Sequence, residues 1–149
     1  MPEIIPFRGV IYNKAKIRDI SKVLAPPYDI ISSLEQSQYY KKHTNNIIRL
    51  ILGKIDPSDN AKENKYTRAA KCAKEWLNKE IFIKQNIPAI YFLEEKFTYK
   101  GEEKTQLGFI GLVKLQDFSS GSISPHEETI SKPRKDCLKL LKTCKANLS

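Results

Sequence analysis

At 149 residues, the chain has the length of one ordinary domain and can bury roughly two-thirds of its unfolded surface. Its 40% hydrophobic and 29% charged composition excludes a disordered chain. A net charge of +9 favours anionic partners such as nucleotides, phosphorylated metabolites or nucleic acid, but the lysines are spread from Lys14 to Lys132, with no arginine-rich arm and no aromatic RNA-binding signature.

Ile4 to Tyr12 carries β-branched and aromatic residues around Gly9 and reads as a strand with a bulge or a close backbone approach. Within it, Arg8 is either a fork for phosphate or carboxylate or a plain surface residue. Pro26-Pro27 then fix a rigid extended turn that places Tyr28 and Asp29 reproducibly. Asp29 could bind a metal or an amino group, or accept as a cap. Ser32 or Ser33 caps a short helix through Tyr39, Tyr40 and Lys42, which ends near His43 to Asn46.

Asn46 to Gly53 is a short apolar run bounded by turn residues, and is expected to be a buried strand. Arg49 inside it must reach a partner or a ligand anion, unless it lies at a strand edge open to solvent. After a polar linker from Asp56 to Glu63, residues Tyr66, Ala69, Ala70, Ala73, Trp76 and Leu77 recur at helical spacing, with Lys71, Lys74 and Glu75 facing away. That stripe is core, and Trp76 is a packing anchor rather than a stacking platform.

Pro88 to Tyr99 and Thr105 to Phe118, joined through Lys100-Gly101-Glu102-Glu103, read as a long β-hairpin. Gly108 and Gly111 permit a bulge or close packing, not a phosphate cradle, because the chain contains neither glycine-rich nucleotide motif. The fold class expected is α+β: a mixed sheet with a long β-hairpin and flanking helices.

The densest polar cluster runs from Ser124 to Asp136. Pro125 and Pro133 make it an extended, ordered loop, the kind of segment that carries function. His126 and Glu127, Thr129, and the cations Lys132, Arg134 and Lys135 suit proton transfer beside a bound phosphate, although the same composition also describes ordinary solvated surface. Asp136 caps or enters a terminal helix carrying Leu138, Leu140 and Leu141, with Lys139, Lys142 and Lys145 toward its end.

Cys137 and Cys144 share a face of that helix and are expected to be buried. With Cys72 they are too few and too far apart for a zinc cage, and an odd number argues against a disulfide framework. No metal site is expected from the residues, and a reducing compartment is. No apolar run approaches the ~20 residues of a membrane span, and Met-Pro-Glu-Ile-Ile lacks the features of a signal peptide, so the expectation is a cytoplasmic protein without a membrane partner.

Ile5-Pro6-Phe7-Arg8-Gly9, Ala25-Pro26-Pro27-Tyr28-Asp29, Asn46-Ile47-Ile48-Arg49-Leu50, Pro125-His126-Glu127-Glu128-Thr129, Lys132-Pro133-Arg134-Lys135-Asp136 and Ala146-Asn147-Leu148-Ser149 resemble, in the same order, motifs of the bacterial and archaeal domain-of-unknown-function family 1015. Members of that family are longer and continue to an Asp-Gly-His-His-Arg motif. The resemblance therefore implies that residues 1–149 form a single N-terminal fragment of a larger domain, its missing half encoded downstream.

The Pro-His-Glu motif also resembles that of free-serine kinases of the ParB and sulfiredoxin-like superfamily. This second resemblance implies phosphorylation of free L-serine or a similar small alcohol by ATP or ADP with Mg²⁺. Glu127 would be the general base and His126 would orient or bind phosphate. From their charge, Lys132 and Arg134 are candidate phosphate contacts and Arg8 and Asp29 weaker substrate or metal candidates, with Tyr28 and Arg49 counted among the candidate substrate residues. Little activity is expected of the fragment alone, and a non-catalytic nucleotide- or nucleic-acid-binding module is the alternative.

Overall fold

The structure, a computed structural model, describes residues 2–121, 123–124 and 131–148, and only the backbone of residues 120 and 131–133. The elements are β1 (Ile4–Ile5), β2 (Val10–Tyr12), α1 (Ser33–Lys42), α2 (Ile48–Ile51), α3 (Lys65–Asn78), β3 (Phe82–Lys84), β4 (Tyr91–Tyr99), β5 (Glu102–Ile110), β6 (Leu112–Val113) and α4 (Ser131–Cys144). This is an α+β fold whose strands form three pairs, β1 with β6, β2 with β3 and β4 with β5. The described residues divide into two compact units: 2–11 with 84–124, and 12–83 with 131–148.

In the first unit, the expected strand from Ile4 to Tyr12 is two short strands, because Pro6 lacks the N–H that a continuous ladder needs. β1 pairs antiparallel with β6, and Phe7 bridges Ala89. The expected hairpin is present as β4 and β5, in register from Tyr91 opposite Ile110 to Tyr99 opposite Glu102. Lys100 (φ 52°) and Gly101 (φ 81°) form its turn, where a two-residue connection demands left-handed backbone at both positions. The return strand is shorter than its sequence pattern and ends at Ile110, before Gly111.

The close approach expected at Gly9 is made by Tyr91. Its hydroxyl oxygen accepts from the Gly9 N–H at 2.7 Å, and a Cβ on Gly9 would lie 2.6 Å from that oxygen. A hydrogen-bonded side chain fills the space that a larger residue would need.

In the second unit, α3 carries the core. Asn64 caps it in a reciprocal box with Thr67, satisfying donors that the first turn leaves open. Its inward stripe, Ala69, Cys72, Ala73 and Trp76, packs on Leu50 and Phe82, and Trp76 meets the Phe82 ring edge-on at 5.0 Å. Trp76 is the expected anchor, while Leu77 at the end of the stripe is exposed. Ser32 caps α1 in a full capping box with Glu35.

Two expectations fail for physical reasons. Asn46 to Gly53 holds the short helix α2 rather than a strand. Asn46 is completely buried: its Oδ1 accepts from the Ile48 N–H at 3.0 Å, and its Nδ2 donates to the carbonyls of Lys22 and Leu24. That clamp starts a helical turn and overrides the β-propensity of Ile47 and Ile48, in a run too short for periodicity to decide.

The expected extended loop through Pro133 is instead helical from Ser131 onward. Pro133 lies in the first turn of α4, where an N–H would have no partner to lose. His126 and Glu127 lie outside the described residues.

Candidate functional site

The rigid Pro26-Pro27 pair leads into a 3₁₀ turn over Tyr28–Ile30. Tyr28 is thereby directed at α4, where its hydroxyl and the Cys137 thiol share a hydrogen bond at 3.1 Å. This hydrogen bond first, and burial second, push the Tyr28 phenol up to about 12. It stays neutral at physiological pH and can donate a hydrogen bond without contributing charge.

One helical step before Cys137, Asp136 accepts from Lys65 Nζ at 2.6 Å and from the Tyr66 hydroxyl at 2.5 Å, both at the same oxygen. Burial raises the Asp136 carboxyl, but these two hydrogen bonds and the Lys65 charge outweigh it and hold the group below the usual carboxylate range. Burial, then the same carboxylate, pushes the Tyr66 phenol up to about 12. Asp136, read from sequence as capping or entering the helix, lies inside α4 and is an internal tie between α3 and α4.

A small cavity of about 60 Å³ opens beside this tie, lined by Tyr28, Ile51, Asp136, Cys137, Asn147 and Leu148 among others. It has room for a few waters and is smaller than an amino acid. Its walls come from the segment of Pro26 to Asp29, from the first turns of α4, from the end of α2 and from the chain after α4. Three of the six sequence motifs, those containing Tyr28, Asp136 and Asn147, therefore border one point in the second unit.

A larger depression of about 530 Å³ is lined by Lys54, Asp56, Ser58, Asn60, Glu63 and Arg68. Its Arg68 is already bound to both oxygens of Asp59, and the remaining lining mixes both signs of charge. Size alone would choose it; the convergence of motifs favours the smaller cavity.

Of the candidate residues, Tyr28 lines the cavity and Asp29, beside it, is exposed. Arg134 lies exposed in the first turn of α4 with Lys135, and Lys132 is on the same turn, its side chain outside the described residues. Arg49 does not line the cavity. Its guanidinium donates to the Tyr40 carbonyl at 2.9 Å and stacks 4.4 Å from the Tyr40 ring centroid, while its buried Nε has no partner among the described residues. The partner its sequence context demanded is thus a ring and a carbonyl of α1. Arg8 is exposed and belongs to the other unit.

Among the described residues, no three His, Cys, Asp or Glu side chains come together to hold a metal ion. Mg²⁺ in nucleotide sites is usually held by one or two carboxylates together with phosphate oxygens, so this concerns a dedicated protein-only metal cage and not the Mg²⁺ that the resemblance implies. The expected burial of Cys137 and Cys144 holds only in part: Cys144 packs half-buried against the core, its thiol pushed up by burial, whereas Cys137 is exposed. Burial likewise pushes the Cys72 thiol up to about 11, which keeps it protonated and unreactive.

Sequence reasoning missed the partners of Asp136, because Lys65 and Tyr66 stand about seventy positions away and no local spacing reports such a pair. It also missed Asn46 as the organiser of α2, although an amide just before an apolar run was a visible turn signal. Among the described residues, no helix is long and apolar enough to cross a membrane.

No curated protein and no solved structure matches the chain. The model of the family described as "Protein of unknown function (DUF1015)" matches residues 4–149, and the chain belongs to that family.

Proposed function

We propose that the chain takes part in phosphoryl transfer from ATP or ADP to a small alcohol, with free L-serine as the first acceptor to test. The observation that supports this reading is the convergence of Tyr28, Asp136, Cys137, Asn147 and Leu148 on one cavity at the start of α4, the helix whose first turn carries Arg134 and Lys135. A neutral phenol, a thiol and an amide offer hydrogen bonds there, beside cations suited to phosphoryl oxygens.

In this reading, the acceptor hydroxyl attacks the terminal phosphorus of the nucleotide. A new O–P bond forms and the bridging P–O bond breaks, so ATP leaves as ADP, or ADP as AMP. The hydroxyl proton passes to Glu127, with His126 orienting the phosphate. Lys132 and Arg134 offset the charge on the transferring group, and Tyr28 and the exposed Asp29 hold the acceptor at the mouth of the cavity, which is itself too small to enclose it. Phosphoryl transfer asks chiefly for positioning and charge neutralisation, and these residue types supply both.

The test is ATP and ADP binding by calorimetry together with serine-dependent phosphate transfer. Arg134→Ala should weaken nucleotide binding about tenfold, and Glu127→Gln should abolish transfer while leaving binding intact. Absence of nucleotide binding at millimolar concentration, or full transfer by Glu127→Gln, would overturn the reading.

A further inference from the structure

Hairpin β4–β5 is a two-stranded sheet, so the outer edge of each nine-residue strand has no strand partner among the described residues. Both faces carry large apolar groups: Phe92 is 91% exposed, and Leu93, Phe97, Tyr99, Leu107 and Phe109 are also exposed. Native sheets do not leave long apolar edges open without a use for them, since the unpaired N–H and C=O groups template another strand.

We infer that the outer edge of β4 pairs with β4 of a second copy of this chain, antiparallel about a two-fold axis at Glu95. The argument is one of register. A two-fold axis perpendicular to a sheet must pass through a residue, and opposite residues then share a face. With the axis at Glu95, Glu94 lies opposite Lys96 of the second copy, and this happens twice.

On the other face, Leu93 meets Phe97, also twice, while Tyr99 lies opposite Tyr91, whose ring is already held against Phe7 and Gly9. Glu94 and Lys96 already form an ion pair within the strand at 3.1 Å, so the dimer would extend that pair into a four-charge cluster of alternating sign. Cross-strand aromatic, apolar and opposite-charge pairs are the ones that stabilise sheets.

Neighbouring registers lose this match. An axis at Glu94 sets Leu93 against Glu95 and Phe92 against Lys96, and an axis at Lys96 sets Glu95 against Phe97. The edge of β5 fails as well, because an axis at Gln106 sets Glu103 against Phe109 and Glu102 against Ile110. Among these registers, β4 about Glu95 is the one complementary in both charge and apolarity, its defects being Glu95 facing Glu95 on the axis and Phe92 facing Thr98.

Sedimentation of the whole chain over a concentration series tests this. Wild type should show a reversible dimer, and Glu95→Gln should tighten it. Lys96→Glu, which sets glutamate against glutamate twice, should weaken association about tenfold. The double variant Glu94→Lys with Lys96→Glu should restore it. All these side chains are exposed or on an exposed strand, so folding is preserved, and the double variant controls for it. A monomer at every concentration would overturn the proposal, as would a dimer indifferent to Lys96→Glu or a double variant no better than the single one.

Discussion

The hydroxyl of Tyr66 and the carboxylate of Asp136 meet at 2.5 Å, joining the first turn of α3 to the second turn of α4 across seventy positions of sequence. Lys65 reaches the same oxygen, so one carboxylate ties down two consecutive residues of α3. This tie fixes α4, and with it Cys137 against Tyr28, so the candidate site depends on a contact that is itself structural.

Asp136→Asn should destabilise the chain by about 1.5–3 kcal/mol, the usual worth of hydrogen bonds to a charged group in a partly buried place. The pH dependence follows from the depressed carboxyl. Its stabilisation is fully present above the unfolded value near ~4 and is lost as pH falls through the lower folded value. Urea midpoints measured from pH 7 to pH 2 should fall for wild type below about pH 4, and Asp136→Asn should flatten that decline.

At the alkaline end the sign reverses. The Tyr28 and Tyr66 phenols are both pushed up to about 12, above the unfolded value near ~10. Their contribution is complete below pH ~10 and is lost as pH rises toward 12. Tyr66→Phe should remove part of that alkaline loss and, by taking a donor from Asp136, also shift the acid limb upward. Thermal melts between pH 8 and pH 12 would read the first effect.

Gly9→Ala should cost about 1–3 kcal/mol, because the added methyl would lie 2.6 Å from the Tyr91 hydroxyl and must displace a hydrogen-bonded ring. Pairing it with Tyr91→Phe should relieve little, since the ring carbon Cζ would still lie only 2.8 Å away. Pairing it with Tyr91→Ala should remove the clash, and a double-mutant cycle would show the coupling.

Asn46→Ala should cost about 3 kcal/mol, by leaving the carbonyls of Lys22 and Leu24 and the Ile48 N–H without their side-chain partner. Asn46→Asp should do no better, because a carboxylate cannot donate to two carbonyls. Denaturant unfolding of both variants checks this.

The helix at α3, the capping Ser32, the hairpin and the close approach at Gly9 were legible because each has a local cause: a 3.6-residue stripe, a capping hydroxyl, alternating strands about a glycine turn, or the absence of a Cβ. α2 was not legible, since its cause is the Asn46 clamp onto Lys22 and Leu24, some two dozen positions earlier. The start of α4 was misread because Pro133 was taken as a break, when a proline in a first turn costs the helix nothing. At the site, the residue types around Tyr28, Asp136 and Cys137 were visible in sequence, but their convergence was not, because it rests on the long-range tie of Asp136 to Lys65 and Tyr66. Arg49 was rightly singled out as a charge needing a partner, and that partner proved to be Tyr40.

The measurement that tests the functional account most directly is calorimetric titration of the chain with ATP and with ADP, on wild type and on Arg134→Ala and Tyr28→Phe. The account predicts saturable binding of at least one nucleotide, weakened about tenfold by Arg134→Ala, with Tyr28→Phe leaving nucleotide binding unchanged because that phenol is assigned to the acceptor. No heat of binding for either nucleotide at millimolar concentration, or binding indifferent to Arg134→Ala, would contradict it.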